Sequence, residues 1–306
     1  MISDLTWPAK SPGVSIAAEI QSPATILEGD ARVVLSVLPD ECVQCVVTSP
    51  PYWGVRDYKT AGQIGAESEL NAYIKTLVTC FDSVKRVLKR DGVLWINIGD
   101  VYVSGNRSYR APDRRYPQRA LEKRPRTPNG LKQKDLIGIP WRVAFALQEA
   151  GWYLRTEIVW NKSNAMPESV RDRPQRSHEY LFLLTKESHY SFSRAKLERA
   201  TAAAKRSVWT IATAKTPCVG HHAVFPEKLI VPCIAGASNP ADLVLDPFCG
   251  TGTVGVVCNK MRRRFIGVEI SRKFATAAVS RLGPGTNWLR SARSKAARLA
   301  ATDTVA

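Results

Sequence analysis

The stretch that decides the fold is Leu243-Val-Leu-Asp-Pro-Phe-Cys-Gly-Thr-Gly-Thr-Val-Gly255. A short apolar run, typical of a buried strand, ends at Asp246, and the pattern G-x-G-x-x-G then leads into a segment with helical spacing. Glycines let a ligand approach the backbone, and a helix that begins there offers free N–H groups and the positive end of its dipole. This order predicts a strand–loop–helix unit that binds a nucleotide-like cofactor.

A second acidic residue, Glu269, follows the next strand-like run, where a carboxylate can accept hydrogen bonds from two ribose hydroxyls. A dinucleotide and S-adenosylmethionine both fit this arrangement. Asp246 favours S-adenosylmethionine, because a carboxylate before the loop attracts an ammonium group and repels a pyrophosphate. The sequence has no G-x-x-x-x-G-K-[ST] pattern, which disfavours a P-loop NTPase.

A rigid turn, Thr48-Ser-Pro-Pro-Tyr-Trp53, follows an apolar strand-like run that begins at Cys42. Its two prolines fix φ and remove two N–H donors. The Ser49 hydroxyl and the Pro50 carbonyl are acceptors that suit an exocyclic amine, and Tyr52 and Trp53 offer flat faces on which a base can stack. The turn therefore predicts a site for a nucleobase.

Strands alternate with helices from residue 24 to residue 282, which predicts an α/β fold with a mostly parallel sheet and helices on both faces. One helix is expected from Glu67 to Lys89, with a strand at 93–98. Residues 1–23 are interpreted as a flexible arm, 24–282 as one domain, and 283–306 as a frayed basic tail.

The charge balance points to a polyanionic partner. Lys and Arg number 44 against 27 Asp and Glu, a net charge of +17, which favours nucleic acid over an anionic membrane surface. Residues 103–134 read as a basic insertion with ten basic and two acidic residues, and the mixed segment 187–220 is a candidate for target recognition. No apolar run approaches the roughly 18 residues of a spanning helix, no signal peptide is predicted, and the seven cysteines read as reduced core residues.

Together, T-S-P-P-Y-W and D-P-F-C-G-T-G-T resemble the amino-group DNA methyltransferases. The order is the circularly permuted one of the beta class, with the catalytic turn before the cofactor loop. Four further segments are similar to motifs of that family: Leu27–Asp30, Trp160–Lys162, His178–Tyr180 and His221–Pro226. The resemblance covers about residues 24–280 and implies the Rossmann-like fold of S-adenosylmethionine-dependent methyltransferases.

The resemblance implies methyl transfer from S-adenosylmethionine to an exocyclic amine in double-stranded DNA, by base flipping and direct in-line transfer. It assigns catalysis to Ser49, Pro50, Pro51 and Tyr52. It assigns cofactor binding to Asp30, His221, Ala223, Phe225, Pro226, Asp246, Pro247, Phe248, Gly250, Thr251, Gly252, Thr253 and Glu269. The predicted DNA contacts are Trp53, Arg107, Arg110, Arg114, Arg115, Arg119, Arg124, Arg126, Lys132, Arg194 and Lys196. No convincing metal-ligand cluster is found, and His178 is expected to hydrogen-bond Glu179 in a structural pair.

Serine at the first position of the turn is typical of cytosine-N4 enzymes, whereas Asp or Asn is typical of adenine-N6 enzymes. Cytosine N4 is therefore the predicted target, with adenine N6 as the alternative and an RNA or protein methyltransferase as a more distant one. A dinucleotide oxidoreductase would leave the Ser49 turn without a role. The further partners to be tested are a second copy of the chain and a cognate restriction endonuclease, in the cytoplasm of a prokaryotic cell and either chromosomally or phage-encoded.

Overall fold

The computed structural model describes residues 20–58, 60–104, 125–214 and 225–290, which form nine strands and seven α-helices. The strands are β1 (Ala24–Glu28), β2 (Val43–Thr48), β3 (Leu88–Ile98), β4 (Tyr153–Asn161), β5 (His178–Thr185), β6 (Val208–Thr210), β7 (Leu243–Asp246), β8 (Arg264–Glu269) and β9 (Thr286–Arg290). The helices are α1 (Ala31–Val37), α2 (Leu70–Val87), α3 (Ile139–Glu149), α4 (Arg194–Ala200), α5 (Glu227–Ala237), α6 (Thr253–Lys260) and α7 (Arg272–Leu282), and a 3-10 turn spans Ala202–Lys205.

The strands form one sheet in the order β6-β4-β5-β3-β2-β7-β8-β1-β9. Strand β5 is antiparallel to β3 and β4, and every other neighbouring pair is parallel. This confirms the predicted mostly parallel sheet. From β2 the chain continues to β3 on one side, whereas from β7 it continues to β8 on the other. The boundary between β2 and β7 is therefore a switch point, where the carboxyl ends of parallel strands leave a crevice for a ligand.

Helices cover both faces of the sheet, because alternate residues of the central strands are apolar on both sides. On β2, Val43 and Val46 pack with α1, α2 and α3 in one buried cluster, while Cys45 and Val47 pack with α4, α5, α6 and α7 in another. All four side chains are at most 2% exposed. The two clusters fix the sheet rigidly and so fix the loops at its edge.

The helix expected to reach Lys89 ends at Val87, and β3 begins at Leu88 instead of residue 93. The reason is tertiary. The Arg86 guanidinium donates to the carbonyls of Leu35 and Leu38 at 2.6 and 2.9 Å, and Leu88 is paired with Val43 of β2. These contacts end the helix and turn the chain directly into the sheet.

The predicted arm and tail both contribute residues to the sheet region. Residues 286–290 form β9, which pairs with β1 along its whole length, so the expectation of a frayed tail from residue 283 is wrong for this part. Ile20 is buried, and the Pro23 carbonyl accepts from the Phe265 amide at 3.0 Å. The segment 187–214 also joins the fold, since β6 extends the sheet beside β4.

Candidate active site

A cavity of about 550 Å³ lies at the switch point, lined by residues that follow β1, β2, β7 and β8 and by residues around the ends of β4 and β5. Its size is within the range typical of small-molecule sites. The cavity is continuous, but its lining residues form two groups of different chemistry, and we name the part beside each group an acidic or an aromatic chamber. The acidic chamber is lined by Asp30, Asp246, Phe248, Gly250 and Glu269. The aromatic chamber is lined by Ser49, Tyr52, Trp160, Lys162, Arg176 and Glu179.

The three glycines of the cofactor loop have different tasks. Gly250 lines the acidic chamber. Gly252 lies at φ +79° before α6, and a Cβ there would lie 3.1 Å from the Cβ of Ala278 on α7. A Cβ on Gly255 would lie 2.6 Å from the Phe265 ring. The first glycine therefore faces a ligand, and the other two allow close packing of α6 against α7 and β8.

Asp246 ends β7 at the floor of the acidic chamber, and its side chain is buried. Its Oδ1 accepts from the Thr48 hydroxyl at 2.6 Å and from the Phe248 amide at 3.1 Å. Burial raises the pKa of this carboxyl to about 7, although the two hydrogen bonds act in the opposite direction. Thr48 thus joins the catalytic turn to the cofactor loop.

Glu269 ends β8 on the other side of the loop. Its carboxylate accepts from the Gly250 amide at 2.9 Å and from the Ser271 amide at 2.7 Å, one on each oxygen. Burial raises the pKa of this carboxyl to about 7 as well. Each oxygen accepts one protein bond and keeps capacity for another, so Glu269 can receive two adjacent hydroxyls.

The structure brings most predicted cofactor residues to the cavity wall. The residues that line it are Asp30, Phe225, Asp246, Pro247, Phe248, Gly250, Thr253 and Glu269. Pro226, Thr251 and Gly252 do not line it. Thr251 is 2% exposed and its hydroxyl accepts from Arg281 at 3.0 Å, so this threonine holds α7 instead of facing a ligand. His221 and Ala223 lie outside the described residues.

The Asp30 carboxylate is already engaged. It accepts from the Arg32 guanidinium on both oxygens and from the Arg32 amide at 2.9 Å. The same guanidinium donates to the Gly62 carbonyl at 2.8 Å. Asp30 therefore caps α1 and is linked through Arg32 to the loop at Gly62, in addition to the ligand contact predicted for it.

The catalytic turn is bonded to both groups of lining residues, since Thr48 donates to Asp246 and Tyr52 donates to Glu179. Its four predicted catalytic residues all line the cavity. The Tyr52 hydroxyl donates to Glu179 at 2.8 Å, and the other oxygen of Glu179 pairs with Lys162 at 2.5 Å. Burial, with the nearby Glu179 charge, raises the pKa of Tyr52 well above its ordinary value. The Tyr73 hydroxyl donates to the Pro51 carbonyl at 2.9 Å, which fixes the turn from below.

Gly99 permits the tyrosine to occupy this position. A Cβ at residue 99 would lie 2.9 Å from Cε2 of Tyr52 and 3.3 Å from the Glu179 carboxyl carbon. A glycine at residue 99 thus leaves room for Tyr52 and Glu179 to meet.

The expected His178–Glu179 pair is wrong. Glu179 is bonded to Tyr52 and Lys162, and the His178 ring instead stands edge-on to Tyr180, with centroids 5.4 Å apart.

The assignment of Trp53 to DNA is wrong. The indole is 2% exposed and donates to the Glu67 carbonyl at 2.8 Å. It packs in the core beneath the loop of residues 54–67, so it offers no face to a base. An aromatic residue beside a catalytic turn has the same sequence signature whether it stacks on a ligand or packs inward.

The predicted DNA-contacting residues divide into three groups. Arg107, Arg110, Arg114, Arg115, Arg119 and Arg124 lie outside the described residues. Arg126 and Lys132 are exposed, and Arg126 lies 3.6 Å from Glu69, but neither lines the cavity. These eight stay predictions.

Arg194 and Lys196 are placed at the wrong end of the sheet for contact with a base in the cavity. Arg194 pairs with Glu198 at 2.6 Å. Lys196 donates to Asn239 at 2.5 Å, and Asn239 precedes β7, whereas the cavity lies at the carboxyl end of that strand. The sequence could not reveal this, because it depends on the direction of α4 against α5.

Four cavity residues had no assigned chemical role from the sequence: Asn97, Lys162, Arg176 and Glu179. The same holds for Thr48, which is buried next to the cavity and donates to Asp246. Lys162 and Glu179 lie in segments that resemble the family's middle motifs, which was the available signal. Arg176 lies in the irregular connection between β4 and β5, where no periodicity singles it out. In the part of the chain that the structure describes, no group of three metal-binding side chains is found, and no helix is long and apolar enough to cross a membrane.

Comparisons with known proteins agree with this geometry. The DNA methylase family of N6- and N4-methyltransferases matches residues 43–280. The chain is 55% identical to the Type II methyltransferase M.Cfr9I of Citrobacter freundii and 54% identical to M.XycI of Xanthomonas campestris pv. cyanopsidis, in each case over 87% of this chain and 90% of the relative. The solved structure of TTHA0409 from Thermus thermophilus, complexed with S-adenosyl-L-methionine, has a TM-score of 0.62 at 25% identity and covers 88% of this chain and 99% of that one.

The fold and the cavity define an α/β methyltransferase of the Rossmann-like class. More particularly, the chain belongs to the DNA methylase family of N6- and N4-methyltransferases, and it is a DNA methyltransferase whose cofactor is S-adenosylmethionine.

The acidic chamber fits that cofactor on chemical grounds. Two buried carboxylates, Asp246 and Glu269, line it, and they would repel the pyrophosphate of a dinucleotide. An ammonium group beside Asp246 and a ribose beside Glu269 would instead satisfy both carboxylates.

Proposed function

We propose that this protein methylates the exocyclic N4 amine of cytosine in double-stranded DNA. The observation that carries the proposal is the Ser49 turn. It presents a neutral hydroxyl and the Pro50 carbonyl at the junction of the chambers, with no carboxylate at its first position. This pairing is typical of cytosine-N4 enzymes, and the family membership supplies the reaction class.

The proposed mechanism uses the side chains already in place. Bound S-adenosylmethionine supplies an electrophilic methyl group, held in the acidic chamber by Asp246 and Glu269. A target base inside a duplex cannot reach that chamber, so it must be flipped out. Its ring would then lie against Tyr52, whose orientation is fixed by the hydroxyl bond to Glu179.

The acceptors of the turn orient the amine. The Ser49 hydroxyl and the Pro50 carbonyl would accept hydrogen bonds from its two N–H groups, and this would aim the nitrogen lone pair at the methyl group. Positive charge develops on this nitrogen during transfer, and fixed acceptor dipoles stabilise it without reorganisation. The methyl–sulfur bond would break with its electron pair on sulfur, which leaves a neutral thioether, and the methylated nitrogen would release one proton to solvent. Positioning of the two reactants supplies much of the remaining rate.

A product analysis tests the proposal. The pure protein is incubated with unmethylated duplex DNA and S-adenosylmethionine whose methyl group is deuterated, and the digested nucleosides are separated by mass spectrometry. The expected product is deuterated N4-methyldeoxycytidine. Deuterated N6-methyldeoxyadenosine would overturn the assignment of the base and retain the reaction class, whereas no labelled nucleoside would overturn the proposal for this DNA.

We also propose that the protein serves a Type II restriction–modification system, because its relatives M.Cfr9I and M.XycI are Type II methyltransferases. Plasmid DNA modified by this protein should resist a restriction endonuclease encoded beside it. Full cleavage of modified plasmid would contradict this assignment. The expected homodimer stays a prediction.

A further inference from the structure

Arg176 is a buried cation in the wall of the aromatic chamber. Its side chain is 12% exposed, and its Nη1 atom has no hydrogen-bond partner among the described residues. The nearest carboxylate oxygen is Oδ2 of Asp100, 3.6 Å away, which is too far for a hydrogen bond. A buried donor without an acceptor is costly, so its retention in a cavity wall calls for a reason.

The carboxylate of Asp100 is committed elsewhere. It accepts from the amides of Gly138 and Ile139 at 3.0 Å and from its neighbour Val101 at 2.9 Å. These bonds hold the start of α3. Asp100 therefore supplies a compensating charge for Arg176 without a hydrogen bond to its Nη1 atom, and Arg176 is one of the residues that line the cavity.

The position of Arg176 relates it to the catalytic turn. Asp100 directly follows Gly99, the residue on which the Tyr52 ring rests. The other cation of the aromatic chamber, Lys162, is held by Glu179 at 2.5 Å. Arg176 differs from Lys162 in that its Nη1 atom has no hydrogen-bond partner among the described residues, and its partner Asp100 adjoins the residue that contacts the Tyr52 ring.

We propose that Arg176 recognises the flipped base by donating hydrogen bonds to its N3 and O2 atoms. This inference rests on the proposed function. With N4 held by Ser49 and Pro50, the remaining Watson–Crick edge of cytosine offers two adjacent acceptors, N3 and O2. The guanidinium presents N–H donors in a planar fork that matches such a pair. Adenine in the same orientation offers N1 and then a C–H, so it leaves one donor unsatisfied. Arg176 thus adds a reason for the choice of cytosine that is independent of Ser49.

The test is a cycle that combines a protein variant with a base analogue. The methylated position is first mapped by sequencing modified DNA, and duplexes are then made with cytosine or 2-thiocytosine at that position. Sulfur is a weaker acceptor than oxygen, so the analogue weakens the proposed contact. The variant is Arg176→Lys, which keeps a charge beside Asp100 and loses the fork.

The expected result is non-additive. With the wild-type protein, we expect 2-thiocytosine to lower kcat/KM about 10-fold or more, because a built polar contact discriminates strongly. Arg176→Lys should lose about 10- to 100-fold on cytosine and little more on the analogue. Cofactor affinity, measured by calorimetry, should stay within about twofold. A steric effect of the larger sulfur would appear equally in both proteins and so would not mimic the result.

Arg171→Gln is the matched control, because Arg171 is an exposed arginine of the same connection that does not line the cavity. It should show the same analogue effect as the wild type. Additive losses in the cycle, or an unchanged rate of the wild type on 2-thiocytosine, would overturn the role of Arg176. The rate of the wild-type protein on 2-thiocytosine does not depend on whether a variant folds. If the mapped product is N6-methyladenine, the cytosine proposal fails first, and this outcome is distinct from a failure of the Arg176 inference alone.

Discussion

At the residue scale, the site depends on two carboxylates that the fold buries at strand ends. Asp246 and Glu269 could be predicted because each directly follows an apolar strand beside the glycine loop. Their burial could not be predicted from the motif. It results from packing of the loop against α7, and it raises the pKa of both carboxyls to about 7.

This shift predicts a pH dependence of cofactor binding. An ammonium group is bound by the ionised form of Asp246, and the raised pKa means that this form is lost as pH falls below about 7. The dissociation constant of S-adenosylmethionine, measured by calorimetry from pH 8 to about pH 5.5, should therefore rise by up to about tenfold per unit for each carboxyl that must ionise. Asp246→Asn should bind weakly and show a shallower profile.

The folding stability of the ligand-free protein should change with pH in the opposite direction from its cofactor affinity. A carboxyl whose pKa is raised on folding stabilises the fold below its unfolded value of 3.8, and this contribution is lost as pH rises through about 7.

The control for the pH dependence of cofactor affinity is Glu198→Gln, which alters a carboxyl paired with Arg194 far from the cavity. This variant should leave the affinity profile unchanged. A flat wild-type profile would mean that neither carboxyl takes up a proton in this range.

The same scale shows where residue types mislead. Tyr52 and Trp53 are neighbours with the same apparent suitability for stacking, yet Tyr52 lines the cavity and Trp53 is buried. The difference is set by Glu67, whose carbonyl accepts the indole N–H from a distant part of the loop. A contact between residues 14 positions apart in an irregular loop leaves no periodic signal in the sequence.

At the element scale, the alternation of strands and helices was sufficient to predict the mostly parallel sheet. Regular elements repeat their apolar positions, so the helix expected from Glu67 to Lys89 is present as α2, Leu70–Val87. Edges and irregular connections were less predictable. Strand β9 is polar and short, and only its pairing with β1 makes it a strand. The connection between β4 and β5, which supplies Arg176, likewise has no regular spacing of apolar residues.

The contact of Asp100, which follows β3, with the start of helix α3 supports a prediction about stability. Three backbone amides donate to the nearly buried Asp100 carboxylate at the start of this helix. All three amides donate to Oδ1, and Oδ2 faces the Gly138 amide and Arg176. Asp100→Asn keeps one accepting oxygen but removes the charge and places an NH₂ donor opposite the Gly138 amide and the Arg176 guanidinium. We expect a loss of about 1–3 kcal/mol in the free energy of unfolding, seen as a lower thermal midpoint.

The matched control for that change is Asp172→Asn, because Asp172 is an exposed residue that pairs with Lys134. Fully exposed ion pairs contribute little to stability, so its midpoint should move little. Equal midpoints for Asp100→Asn and the wild type would show that the charge and the second oxygen of Asp100 contribute little to stability.

At the scale of the whole molecule, the permuted chain order brings distant segments to one edge of the sheet. Thr48 and Asp246 are 198 positions apart and share a 2.6 Å hydrogen bond. Tyr52 and Glu179 are joined across 127 positions. The sequence motifs predicted that the turn and the loop would meet, because parallel strands end at the same edge. The bonds that couple them depend on the order of strands in the sheet.

In the proposed arrangement, one cavity holds the cofactor in its acidic chamber and the base in its aromatic chamber. The most direct test compares Tyr52→Ala with Asp246→Asn, with S-adenosylmethionine affinity measured by calorimetry and single-turnover methylation measured at saturating cofactor. Tyr52→Phe, which keeps the ring and loses the bond to Glu179, is the matched control for the aromatic change and should retain more activity than Tyr52→Ala.

We expect Tyr52→Ala to keep its cofactor affinity within about twofold. Its rate of methylation should fall about 10- to 100-fold, which is the scale of one base-stacking contact. Asp246→Asn should lose about tenfold or more in affinity, the scale of a hydrogen bond to a charged group, and recover much of its rate at saturation. Normal affinity and normal rate in both variants, or the same defect in both, would contradict the division of the cavity into two chambers.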